Sequence, residues 1–138
     1  MVAYWDASAL IAMLAREPAA VRYRAKAREF GITTWWGTFV ECAAAIARHA
    51  RGGSAPAQTA ESYRLLEQLS REWLEIQPNE RLRAAAVRAA RNHNLRAGDA
   101  LQIGAAIIAS NLEPDTVRFL TEDSRLKQVA EREGFILD

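Results

Sequence analysis

The sequence predicts an α/β fold with three α/β/α layers around a mostly parallel central sheet. Three observations carry this. Short runs of β-branched and aromatic residues recur along the chain, each separated from the next by one or two stretches of helical periodicity. A late stretch, about 99–110, is apolar almost all round, as a central helix would be. Half of the residues are hydrophobic and a quarter are charged, which suits a folded domain with a real core. Strands joined through helices need crossover connections, and these cover both faces of a parallel sheet.

The elements follow in order. Val2 to Trp5 is a strand ended by Asp6, and Ser8 to Ala15 a helix with Leu10, Ile11 and Leu14 at helical spacing. Pro18 starts a second helix that runs to Phe30 and stops at Gly31. Ile32 to Trp35 is the second strand, and Trp36 to Arg51 a helix closed by Gly52 and Gly53. The stretch from Gly52 to Pro56 reads as a loop, because neither flank is large enough to be a domain. Thr59 to Glu72 is an amphipathic helix and Trp73 to Ile76 a third strand. Asn79 caps a helix running through His93, and Asp99 to Ser110 is the central helix. Val117 to Leu120 is a strong strand, Asp123 to Glu133 a helix stopped by Gly134, and Phe135 to Leu137 a last strand.

Length and composition bound the function. A chain of 138 residues is expected to form one domain, residues 1–138, with one site. Cys42 is the only cysteine, which excludes an internal disulfide and a cysteine-cluster zinc site. The start of the chain lacks the pattern of a signal peptide and no apolar run reaches membrane-spanning length, so a soluble cytoplasmic protein without membrane contact is expected. The net charge of +1 gives no strong global field.

Ligands of open parallel sheets sit beyond the carboxyl ends of the strands. Asp6 ends the first strand, and Asp123 lies three residues past the end of the strongest one. Glu41 is the only charged residue between Phe30 and Arg48, and Asp99 the only one between Arg96 and Glu113. A charge among apolar neighbours needs a partner, water or a metal. Four carboxylates without nearby histidine or cysteine suit Mg²⁺ or Mn²⁺ better than zinc. Each acid also has a purely structural use. Asp6 can cap the first helix, Asp99 with Gln102 matches a capping box, Asp123 can start an acidic first turn, and Glu41 can face a solvent groove. Their order and their placement at strand ends favour a shared site.

Asp6-Ala7-Ser8 after an opening strand, Glu41 in an alanine-rich helix, Asp99-Ala100-Leu101 opening a late helix, and Thr121-Glu122-Asp123-Ser124-Arg125-Leu126 after a strand together resemble a PIN-domain nuclease. The small size resembles the VapC-type toxins of bacterial toxin–antitoxin pairs. The resemblance implies a metal-dependent ribonuclease in which Asp6, Glu41, Asp99 and Asp123 are catalytic and hold Mg²⁺ or Mn²⁺, with the hydroxyls of Ser8 and Thr121 beside them. It also implies RNA as substrate and an antitoxin protein as partner, whose arginine or lysine enters the acidic cleft. Asp123 is preferred over its neighbour Glu122 because it directly precedes the Ser-Arg-Leu match. Trp5 before Asp6 and Gly98 before Asp99 depart from the family's usual pattern and bear on pocket shape. The alternative reading is a non-catalytic PIN-like module that binds RNA or protein.

Removing the four acids from the count leaves 18 basic against 13 acidic residues. Arg22, Arg24, Lys26, Arg28, Arg48 and Arg51 are candidate phosphate contacts, each also explicable as part of a solvated helix face. His49 and His93 are expected at the surface and Cys42 in the core. Trp35 and Trp36 suit burial or an interface better than base stacking. A homodimer using Trp35, Trp36, Tyr63 and Trp73 is expected from the number of large aromatics.

Overall fold

A computed structural model describes residues 1–138. The order of elements is β1 (Val2–Trp5), α1 (Ala7–Leu14), α2 (Ala20–Phe30), β2 (Thr33–Trp35), α3 (Thr38–Arg51), α4 (Pro56–Glu72), β3 (Leu74–Ile76), α5 (Glu80–His93), α6 (Ala97–Ala109), β4 (Val117–Leu120) and α7 (Ser124–Glu133), with a 3-10 turn at Pro114–Thr116 before β4. The four strands lie in the order β3-β2-β1-β4, and every pairing is parallel.

Alternation along β1 divides the core. Ala3 and Trp5 face one side with Leu10, Met13, Tyr23, Cys42, Ile46 and Leu66, under α1 to α4. Tyr4 faces the other with Ile103, Ile107, Phe119, Leu126 and Val129, under α5 to α7. Register reinforces the division. Tyr4 pairs with Phe119 and their rings stack 5.6 Å apart, while Trp5 pairs with Leu120 on the opposite face. Both faces are covered, as the three-layer expectation requires.

Most boundaries agree with the sequence to within three residues, and the exceptions have physical causes. The segment expected as a fifth strand, Phe135 to Leu137, makes a single bridge beside β4, Ile136 to Arg118, directly after the left-handed Gly134 that ends α7. The central helix begins at Ala97, so Asp99 lies in its first turn and Arg96 takes the cap position. The capping box expected for Asp99 and Gln102 is therefore not formed. Asn79 caps α5 as expected, its side chain accepting from Leu82 N at 2.8 Å, an interaction that contributes about 1 kcal/mol.

Two glycines fix how the helices meet the sheet. A Cβ at Gly37 would lie 2.2 Å from the Trp35 ring, so the turn from β2 into α3 closes over the buried indole only because residue 37 lacks a side chain. A Cβ at Gly104 would lie 2.7 Å from the backbone nitrogen of Ala86, which lets α5 and α6 pack backbone to backbone. The first sets the start of the helix carrying Glu41, the second the seat of the helix carrying Asp99.

Candidate active site

β1 and β4 are neighbours in register, so the residues that follow them, Asp6 and Thr121, meet at the carboxyl edge of the sheet. Asp6 N donates to Leu120 O at 3.0 Å, extending the ladder by one step. The Asp6 carboxylate is 3 % exposed. Its Oδ2 accepts from Ser8 Oγ at 2.5 Å and Thr121 Oγ1 at 2.7 Å, with a longer contact from Ser8 N at 3.4 Å. The same two hydroxyls accept from the next turn: Ser8 Oγ from Glu122 N at 2.9 Å, and Thr121 Oγ1 from Asp123 N at 3.0 Å. Oδ1 of Asp6 has no protein partner, yet it is not among the sealed, unpartnered atoms of the interior, so it keeps contact with solvent. One oxygen of Asp6 is held and the other is offered.

Glu41 is presented by the first turn of α3, on the same face as buried Thr38. Its Oε1 accepts from Gln102 Nε2 at 3.1 Å, and Gln102, fully buried in α6, also takes a hydrogen bond from Tyr4 OH at 2.6 Å. Asp99 is half-buried one turn before Gln102 on α6. Asp123 is half-buried and caps α7, Oδ1 accepting from Leu126 N at 3.0 Å.

The charges of these acids act on one another. Burial raises the pKa of Asp6 from its ordinary value, against the lowering effect of its hydrogen bonds, and Asp99 raises it further. Glu41 is pushed up to about 7, first by burial and then by Asp6 and Asp99, while the Gln102 amide opposes the rise. Asp99 is raised by burial and by the charge of Asp123, with Arg96 pulling the other way. Asp6, Glu41 and Asp99 thus form one coupled group, which Asp123 joins through Asp99. Glu122 turns aside to Arg22, 3.4 Å away. No three His, Cys, Asp or Glu side chains form a group able to hold a metal ion by themselves.

Asp6 caps α1, the structural use weighed for it, and Asp123 caps α7, whose first turn holds no acid, so the acidic first turn weighed for it is not formed. Capping and site membership are compatible, because a cap occupies one carboxylate oxygen. Several neighbours are corrected. His93 is largely buried, its Nε2 2.9 Å from Glu133 Oε1, so it joins α5 to α7 instead of facing solvent. Arg22 lies over the Tyr23 ring and pairs with Glu122, and Lys26 pairs with Asp138, so these two are engaged within the chain, whereas Arg24, Arg28, Arg48 and Arg51 are exposed. Trp35 and Trp73 are buried and unavailable to an interface; Trp36 is 52 % exposed. Trp5 is sealed in the core with its Nε1 donating to Gly31 O, and so does not shape the pocket, while Gly98 faces open space. Cys42 is buried, which pushes its thiol up to about 12 and makes it unreactive. A cavity of about 190 Å³ between α1, α3 and α4 is lined by Ile11, Leu14, Cys42, Ile46 and His49 among others, and by none of the four acids.

Sequence reasoning missed Tyr4, Gln102, Arg96 and Arg125. Arg125 donates to the carbonyl of His93, tying the first turn of α7 to the connection that leads into α6. The contacts of Tyr4, Gln102 and Arg125 cross elements distant in sequence, which local patterns do not mark, while Arg96 acts on Asp99 within the start of α6.

Comparison with known proteins agrees with the geometry. None of the curated proteins matches. The crystal structure of PAE2754 from Pyrobaculum aerophilum superposes with a TM-score of 0.67 at 23 % identity, over 99 % of this chain and 90 % of that one, a likeness of fold. The model of the PIN domain matches residues 3–132. With a match of that extent, and the strand-end acids where the fold puts a site, this chain belongs to the PIN-domain family.

Proposed function

We propose that this chain is a metal-dependent endoribonuclease in a single domain, working as the toxin of a toxin–antitoxin pair. PIN domains are generally nucleases that act on RNA, commonly with divalent metal ions. The observation that carries the reading is the coupled group of Asp6, Glu41 and Asp99, brought to one sheet edge by three separate elements, with Asp6 Oδ1 open to solvent.

The donor set suits Mg²⁺ or Mn²⁺. It consists of hard oxygens, and a cation offsets the burial that chiefly raises all three carboxylates together with the smaller repulsion among the acids. A ready-made cage of three side chains is not required, because Mg²⁺ keeps several waters and binds through one or two carboxylates. Asp6 and Asp99 would hold the ion directly, and Asp123 would hold it through water. A bound ion supplies a more acidic water and neutralises charge on the phosphate. Glu41 would share the ion and orient the attacking water, its pKa of about 7 fitting it to take that water's proton. Ser8 and Thr121 keep Asp6 from rotating. Arg96, beside Asp99, is placed to meet RNA phosphates.

The proposed partners are an antitoxin that places an arginine or lysine among the acids, where a guanidinium can bridge two carboxylates, and a second copy of the chain meeting it through exposed Trp36 and Val40. The test is cleavage of end-labelled single-stranded RNA by purified protein. Mn²⁺ or Mg²⁺ should be required, and Asp6→Asn and Asp99→Asn should remove activity while circular dichroism stays unchanged. Undiminished cleavage in excess chelator would overturn the metal reading, and RNA binding without cleavage under any metal would favour a non-catalytic module.

A further inference from the structure

We propose that Gln102 is a positioning residue that fixes the Glu41 carboxylate and is itself oriented by Tyr4, a role that rests on the nuclease reading above. Gln102 is completely buried, yet both ends of its amide are partnered. Oε1 accepts from Tyr4 OH at 2.6 Å, and Nε2 donates to Glu41 Oε1 and Thr38 Oγ1, each at 3.1 Å.

The two ends of an amide have nearly the same shape, so hydrogen-bonding partners decide which way it points. An ionised carboxylate only accepts, so the flipped amide would set its oxygen against Oε1 of Glu41. A tyrosine hydroxyl can donate or accept, and here it donates to Oε1 from the β1 side, anchoring the orientation that the carboxylate selects.

The consequence for Glu41 mirrors that for Asp6. Oε1 is held by Gln102 and Oε2 has no protein partner, so the carboxylate has one anchored and one free oxygen, as Asp6 has. The anchoring reaches further. Thr38 Oγ1 lies 2.7 Å from Thr34 Oγ1, which lies 2.8 Å from the carbonyl oxygen of Trp5, the residue before Asp6. A continuous buried chain of hydrogen bonds thereby joins the side chain of Glu41 to the backbone that carries Asp6. Partners of this kind around metal-binding carboxylates set their orientation, and losing one commonly weakens metal binding about 10- to 100-fold.

The test uses Mn²⁺ alone, titrated calorimetrically into the intact protein, together with side-chain amide signals in nitrogen-15 spectra of the metal-free protein. Gln102→Met keeps the side-chain shape without the donor; Tyr4→Phe keeps the amide but frees its orientation and is the milder change. Each should weaken Mn²⁺ binding, Gln102→Met by about tenfold, and neither should weaken it further in a Glu41→Ala background. Equal weakening in that background, or no weakening in the parent, would overturn the proposal. In the metal-free protein the Gln102 amide protons should be protected from exchange, should shift in Glu41→Ala, and should lose protection in Tyr4→Phe. If the parent binds no Mn²⁺, the metal reading fails and these signals decide alone: protected, Glu41-sensitive protons support the anchoring, and rapidly exchanging ones overturn it.

Discussion

Thr121 Oγ1 lies 2.7 Å from Oδ2 of Asp6, a contact across 115 residues that joins the ends of two neighbouring parallel strands. Hydrogen bonds to charged groups contribute about 1.5 to 3 kcal/mol. Thr121→Val, which keeps the shape and loses the hydroxyl, should lower unfolding free energy by that amount in urea titrations, and Thr121→Ser should restore most of it. RNA cleavage should fall in the same order, since Asp6 would then be held by Ser8 alone.

Stability of the metal-free protein should fall as pH rises. Asp6, Glu41 and Asp99 all have pKa values raised on folding, so the folded state binds more protons than the unfolded one between the ordinary carboxylate range and the Glu41 value of about 7. Their burial is therefore best tolerated at the acid end and increasingly costly toward neutrality. Glu133, whose pKa is lowered by His93 and Arg88, acts oppositely but only below its ordinary range. Melting temperatures should drop from about pH 5 to about pH 8. Saturating Mn²⁺ should remove the drop, as should Asp6→Asn combined with Glu41→Gln. A melting temperature that rises over this interval would contradict the sign.

Gly104→Ala should destabilise the fold although alanine is the better helix former by about 1 kcal/mol. The added Cβ meets backbone atoms of Ala86 at 2.7 and 2.9 Å, and backbone cannot swing aside as a side chain can. Overpacking of this kind costs about 1 to 3 kcal/mol. The urea midpoint should fall with its slope unchanged, and catalytic activity should fall too because α6 carries Asp99 and Gln102.

Trp36→Glu should convert a dimer to a monomer in light scattering at micromolar concentration. Trp36, in the turn before α3, and Val40, in the first turn of α3, are 52 % and 62 % exposed. A parent protein that is already monomeric would rule this surface out as a self-association face.

The fold was legible because its signals are local. A short apolar run marks β1 and period-3.6 patterns mark α1 and α7 without reference to the rest of the chain, and Asn79 announces α5 by itself. The acids were legible because a lone charge in an apolar stretch is conspicuous. What stayed hidden depends on tertiary neighbours. Gln102 reads as the partner of Asp99 at capping spacing, yet the start of α6 at Ala97 turns it inward to Tyr4 and Glu41, residues 98 and 61 positions away. His93 reads as a surface residue among arginines, and only the docking of α7 buries it against Glu133. Phe135 to Leu137 has strand composition, but pairing ends after one bridge.

The pairing of β1 with β4 also sets when, during synthesis, the site can exist. Asp6 leaves the ribosome before the other members of the site, whereas Thr121 and Asp123 come more than a hundred residues later, after every other strand. A nascent chain that has not yet produced β4 has no Thr121 hydroxyl to hold Asp6, no Asp123 beside Asp99, and no ladder fixing the edge on which they meet. The proposed site is therefore assembled last, and a chain released before Val117 carries Asp6, Glu41 and Asp99 without the arrangement that makes them a site.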